Sequence, residues 1–210
     1  MDWKKSLATL KKHVLTGTSH MIPFIVAGGV LFSLSVMLND VPATPTEGWL
    51  AGLAKIGEAG LTLFIPVLGG YIAYSIADKP GLAPGMLGAY LAKVVGAGFL
   101  GGMAAGFIAG YVVKQLKKIK LPTSLKSLGS IFLYPLIGTF VTGAIVIWVI
   151  GTPIASLMEG LTNWLAGMGD AGKIPLATIL GGMTAFDMGG PINKVATLFA
   201  QTQVDTLPYL

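Results

Sequence analysis

Ala185-Phe186-Asp187-Met188-Gly189-Gly190-Pro191-Ile192-Asn193-Lys194 sets a carboxylate, an amide and an ammonium group around a Gly-Gly-Pro break. The surrounding stretch, residues 174–199, is otherwise largely apolar. A bilayer accepts interrupted backbone and charge only where protein or water shelters them. Transporters build substrate sites from such discontinuous segments. The plainer alternative is a Gly-Pro loop between two helices.

The rest of the chain agrees with a membrane setting. Hydrophobic residues make up 53% of the 210 positions and charged residues 11%, with a mean hydropathy of +0.76. That lies beyond the range of ordinary soluble domains. Residues 20–38, 60–77 and 128–150 form long apolar runs, each able to cross about 30 Å of hydrocarbon. The 30 glycines suit helices that approach one another closely. The predicted fold is all-α: a polytopic integral membrane protein with about five to six membrane segments, one of them broken or re-entrant.

The net charge of +5 comes from lysine alone, because the chain contains no arginine. Lys4, Lys5, Lys11 and Lys12 precede the first run; Lys114, Lys117, Lys118, Lys120 and Lys126 fall in a basic loop, residues 114–127. Lysines clustered in short loops mark the cytoplasmic side, so the N-terminus and the basic loop are assigned there, and the Asp40/Glu47 loop outside. This distribution argues against nucleic acid as a partner. Residues 1–17 set Trp3, Leu7, Leu10 and Val14 at helical spacing with lysines opposite, which predicts an amphipathic helix in the membrane interface. A cleaved signal peptide ending near Val41-Pro42-Ala43 is the alternative, disfavoured by that long helical basic region.

Having both lysine clusters on one side requires an even number of crossings between them. Residues 82–95 and 97–113 are therefore read as two passages turning near Gly96, the first short for a full span. Residues 128–150 then cross outward, residues 152–168 lie near the outer surface, and residues 174–199 re-enter. Gly98, Gly102, Gly106 and Gly110 recur every four residues and so line one helix stripe. That row predicts close packing, either against a second copy of the chain or inside one copy. Ile22-Pro23-Phe24-Ile25-Val26-Ala27-Gly28-Gly29 also faintly echoes Ile65-Pro66-Val67-Leu68-Gly69-Gly70.

At this point the motifs resemble a known family. Thr16-Gly17-Thr18-Ser19-His20-Met21-Ile22-Pro23-Phe24 with Val26-Ala27-Gly28-Gly29, the stretch Ile65–Gly85, and the Ala185–Lys194 decapeptide are similar, in order, to three signatures of the fructose-type permease. That permease is the C component of enzyme II in the bacterial phosphoenolpyruvate-dependent sugar phosphotransferase system. The chain departs from the pattern at Lys79, where the family usually has arginine. Family members also continue well past the third motif into a segment carrying an acidic Thr-Glu motif, so the chain is expected to be the N-terminal portion of a permease, a fragment or one half of a split gene. The resemblance implies a single permease domain over residues 1–210, located in the bacterial inner membrane as a homodimer. It binds a fructose-like sugar and holds it for phosphorylation by separate A and B components.

Sugar binding needs polar groups for vicinal hydroxyls in a dry pocket. Asp187 and Asn193 meet that need, Lys194 donates to a hydroxyl or neutralises Asp187, and Gly189, Gly190 and Pro191 shape the break. His20 and Glu58 are secondary candidates, His20 read as an interface residue before a ligand contact. With no cysteine and two histidines, the chain offers no thiol for phosphorylation, no metal-ligand cluster and no nucleophile triad. No cofactor is expected, and enzyme status rests with the complex. Two rivals remain: an ion-coupled transporter or channel using Asp187 and Lys194, and a non-transporting scaffold.

Overall fold

A computed structural model describes residues 3–41, 43–119, 128–167 and 169–186. Among these, every regular element is helical. They are α1 (Trp3–Met37), α2 (Gly48–Ala77), α3 (Lys79–Val94) and α4 (Gly98–Leu116). A π-helical turn (Gly129–Leu133) then leads into α5 (Tyr134–Ile145), and a second (Val146–Ile150) into α6 (Gly151–Gly167). Last comes α7 (Gly169–Phe186).

Among the described residues, four helical stretches are long and apolar enough to cross a membrane: Leu7–Met37, Gly48–Ala77, Gly98–Leu116 and Gly129–Leu157. The helix α3 has 16 residues, about 24 Å of rise, which is short of a full hydrocarbon core. It packs along α2 and α4, between the second and third of these stretches. α3 and α4 turn back on each other through Val95–Ala97, where Gly96 takes a φ of 80°, a conformation open to glycine at no steric cost.

Two expectations are corrected. Residues 1–17 are not a separate element, because α1 runs unbroken from Trp3 to Met37. The face it buries is also not the leucine face. Leu7 and Leu10 are exposed, while His13, Gly17, Met21, Ile25 and Gly28 are buried. Those five recur at helical spacing of three and four. In lipid the apolar side has no reason to turn inward, and small residues make the better helix contact. Likewise, residues 152–168 do not begin a separate surface segment. α6 (Gly151–Gly167) continues directly from the second π-helical turn with no break at Thr152.

The centre of the bundle is α2. It packs on α1 along one side and on α3 and α4 along the other, with α5 laid across α3 and α4. Met21, Phe64, Leu68, Ile72, Ala89 and Phe99 form its apolar core. The glycine row of α4 closes this packing from within. A Cβ on Gly106 would lie 2.7 Å from the Gly69 carbonyl oxygen, and one on Gly110 would lie 2.8 Å from Ile76 Cβ. A Cβ on Gly102 would collide with Ile65. Three glycines of the row therefore meet α2 of the same chain, which decides the open alternative in favour of an internal contact. Gly98 does a different job: with φ 53°, it starts α4 after the turn.

Candidate functional site

The decapeptide's reactive part, Asp187, Gly189, Gly190, Pro191, Asn193 and Lys194, lies outside the described residues. So do residues 120–127 of the basic loop. α7 carries the chain as an intact helix to Phe186, the residue before Asp187, and keeps Pro175 inside it.

The described polar groups gather on the lysine-rich end of the α1–α2 hairpin. The two helices run antiparallel, so the start of α1 meets the end of α2. His13, which is 8% exposed, has its Nδ1 2.6 Å from Ser75 Oγ. Ser75 Oγ donates its single proton to the Ile72 carbonyl at 2.8 Å, so the short bond runs from the His13 Nδ1–H to the serine oxygen. The edge of the Phe107 ring completes the surroundings, with centroids 6.5 Å apart. Nothing in the sequence reading singled out His13. Its signal was the shared stripe with Gly17, Met21 and Ile25.

About two turns further along α1, His20 stacks on Tyr71 with ring centroids 3.9 Å apart and planes 12° from parallel. Tyr71 leans on Tyr74 at 6.0 Å. His20 Nδ1 lies 2.8 Å from the Thr16 carbonyl oxygen. A carbonyl only accepts, so Nδ1 carries a proton, and in the neutral imidazole Nε2 then presents a lone pair. His20 thus stands against α2 on an exposed side of α1, within the apolar stretch Leu7–Met37 and not at its start. Glu58, the other secondary candidate, is exposed within α2 and far along the hairpin from this group.

At the same end, Asp78 alone joins α2 to α3. Its φ of 58° and ψ of −157° place a non-glycine residue in a region that costs about 1–3 kcal/mol. Lys117 of α4 holds it, with Nζ 2.7 Å from Asp78 Oδ2 and 3.3 Å from the Ala77 carbonyl oxygen. Both side chains are solvent-accessible, so the pair contributes under about 1 kcal/mol and serves chiefly to tie α4 to the corner. The three lysine-bearing parts, α1 before His13, the Asp78 corner and the end of α4, therefore share one end of the bundle. That is the arrangement the lysine distribution predicts.

Comparison with known proteins completes the description. The family described as "Phosphotransferase system, EIIC" matches residues 16–207. The "Fructose-like permease IIC component 2" of Escherichia coli (strain K12) is 47% identical over 196 residues, covering 92% of this chain and 55% of the relative. The "PTS system fructose-specific EIIABC component" of Bacillus subtilis (strain 168) is 45% identical over 208 residues, 96% of this chain and 33% of the relative. The "PTS system fructose-specific EIIC component" of Haloferax volcanii is 42% identical over 220 residues, 92% of this chain and 58% of the relative. The chain spans about half the length of the permease relatives it matches. No solved structure matches.

Proposed function

Because the chain belongs to the EIIC family of the phosphotransferase system, we propose that it is the membrane permease portion of a fructose-type system. It takes a fructose-like sugar from outside and presents it on the cytoplasmic side, where a B component phosphorylates it. The observation that carries this reading is the run of three signature motifs within a match extending from residue 16 to residue 207. The name of the Bacillus subtilis relative joins A, B and C components in one protein, which supports A and B components as this chain's partners.

Within this reading the Asp187–Lys194 peptide grips the sugar. Asp187 accepts from hydroxyls, Asn193 accepts and donates, and Lys194 balances the carboxylate, since an unpaired charge at depth is costly. Gly189, Gly190 and Pro191 open the backbone toward the ligand. The N-terminus lies in the cytoplasm with both lysine clusters. Any homodimer contact uses a face other than the inward glycine row of α4.

Cells lacking a fructose permease, supplied with A and B components, test this. The chain is expressed alone and, in parallel, joined to the remaining segment of a relative. Uptake that yields phosphorylated fructose and requires phosphoenolpyruvate is expected. Uptake that follows an ion gradient without phosphoenolpyruvate overturns the proposal. Asp187→Asn lowers uptake by about ten-fold, the equivalent of about 1.4 kcal/mol, at an unchanged amount of protein in the membrane. Unchanged uptake removes this peptide from the sugar site.

A further inference from the structure

One face of α1 carries several polar side chains, is open among the described residues, and is not used by the sugar site proposed above. Lys11, Lys12, Thr16, Ser19 and His20, together with the apolar Ala8 and Leu15, line an open groove of about 510 Å³ along that helix. Polar side chains on a membrane helix face protein or water, not lipid tails. What the groove offers is unusually one-sided. Thr16 Oγ1 donates to the Lys12 carbonyl at 3.0 Å, and Ser19 Oγ donates to the Thr16 carbonyl at 3.0 Å. His20 Nδ1–H is committed to the same Thr16 oxygen. Each of these groups has spent its proton inside the helix, leaving two hydroxyl oxygens and the His20 Nε2 lone pair outward.

Pro23 adds a fourth acceptor. It lies inside α1 and has no N–H, so the Ser19 carbonyl loses its regular helical partner. The deeper part of the groove is therefore a row of acceptors, which suits a ligand made of hydroxyl donors. An anion would be repelled there. One turn away, Lys11 and Lys12 supply ammonium groups and invite an anion.

We propose that this face of α1 is a second site, distinct from the Asp187–Lys194 peptide, which holds a phosphate ester of a polyol. The hydroxyls lie on Thr16, Ser19 and His20 and the phosphate on Lys11 and Lys12. This inference rests on the transport reading for the ligand's source: the phosphorylated sugar, held at the cytoplasmic end before release. The stacking of His20 on Tyr71 of α2 fixes the imidazole so that Nε2 keeps its aim.

The chain has no cysteine, so Ser19→Cys introduces a single thiol, whose sulfur is a weaker acceptor than the hydroxyl oxygen it replaces. The full chain carrying it is placed in phosphatidylcholine vesicles and treated with a water-soluble maleimide. Fructose 1-phosphate is expected to slow labelling about ten-fold, a difference of about 1.4 kcal/mol. Fructose and inorganic phosphate, each alone, leave the rate unchanged, and Lys11→Gln with Lys12→Gln abolishes the protection. The unaltered chain gives an independent readout: fructose 1-phosphate slows acylation of Lys11 and Lys12, measured by mass spectrometry.

Absence of protection in both assays overturns the site. Equal protection by inorganic phosphate overturns the polyol half of it. Vesicles containing phosphatidylglycerol separate the two sources of this chemistry. If that lipid slows labelling and fructose 1-phosphate adds nothing, the groove takes a headgroup and the product role is overturned. Intact phosphoenolpyruvate-dependent uptake without protection refutes this site alone. Protection without such uptake refutes the transport reading and leaves the groove standing.

Discussion

The chain writes nearly the same phrase twice, Ile22–Gly29 on α1 and Ile65–Gly70 on α2, and the two copies end up in different surroundings. On α2 every residue from Phe64 to Gly70 is buried. On α1 Pro23 and Phe24 are exposed, and a side chain at Gly29 would meet nothing within 4 Å. Gly28, its neighbour, sits hard against the Gly57 carbonyl. A proline followed by a glycine pair therefore encodes a kinked helix with one close face. How many neighbours use that face depends on position in the bundle. The central copy serves packing alone. The peripheral copy packs on one side only, and the polar groove lies N-terminal to it on α1.

The largest way to break this comparison is Gly69→Val. The new Cβ would fall 2.9 Å from the carbonyl oxygens of both Gly85 and Gly102, backbone atoms that cannot move aside. Overpacking of that kind costs about 3 kcal/mol, a large share of a typical domain's stability. Loss of folded protein from detergent extracts, followed by thermal unfolding, is the measurement. A variant as stable as the parent would show that the centre of the bundle is looser than described.

A middle-sized effect is expected at Ser75→Ala, which strands the buried His13 Nδ1–H. Hydrogen bonds between membrane helices contribute about 1 kcal/mol, so chemical unfolding should register a loss of that order. His13→Ala in the Ser75→Ala background should add less than it does alone. Full additivity would mean that the two side chains do not stabilise each other. Smallest is Gly29→Ala, expected to stabilise by up to about 1 kcal/mol through helix propensity, because its surroundings are open. A destabilised Gly29→Ala protein would show that something covers this face of α1.

The sequence carried the spans and their order well. Apolar runs, lysine clusters and the parity of crossings led to a two-pass reading around Gly96, and a positive-φ glycine turns the chain there. What it hid was orientation about each helix axis. Leu7, Leu10 and Val14 formed the obvious face of α1, yet His13, Gly17 and Met21 face the bundle. In water, hydrophobicity marks the inner face. In lipid both faces are apolar, and residue size marks it instead. The glycine row of α4 showed the same limit, since spacing revealed a close contact and not its partner. The Asp187–Lys194 peptide, proposed above to hold the sugar, stood out as chemistry because broken backbone and charge are rare in apolar sequence. His13 left no such trace, having one polar letter among lysines.

Asp78 is the whole connection between α2 and α3. One residue supplies only about 3.8 Å of chain between consecutive Cα atoms, so these two helices cannot part company at that end. Lys117 hooks a third helix to the same elbow. α1, by contrast, is tethered to α2 by the longer stretch of residues 38–47. The short elbow therefore fastens α2, α3 and α4 together at that end, whereas α1 is held to α2 by packing along the length of the pair.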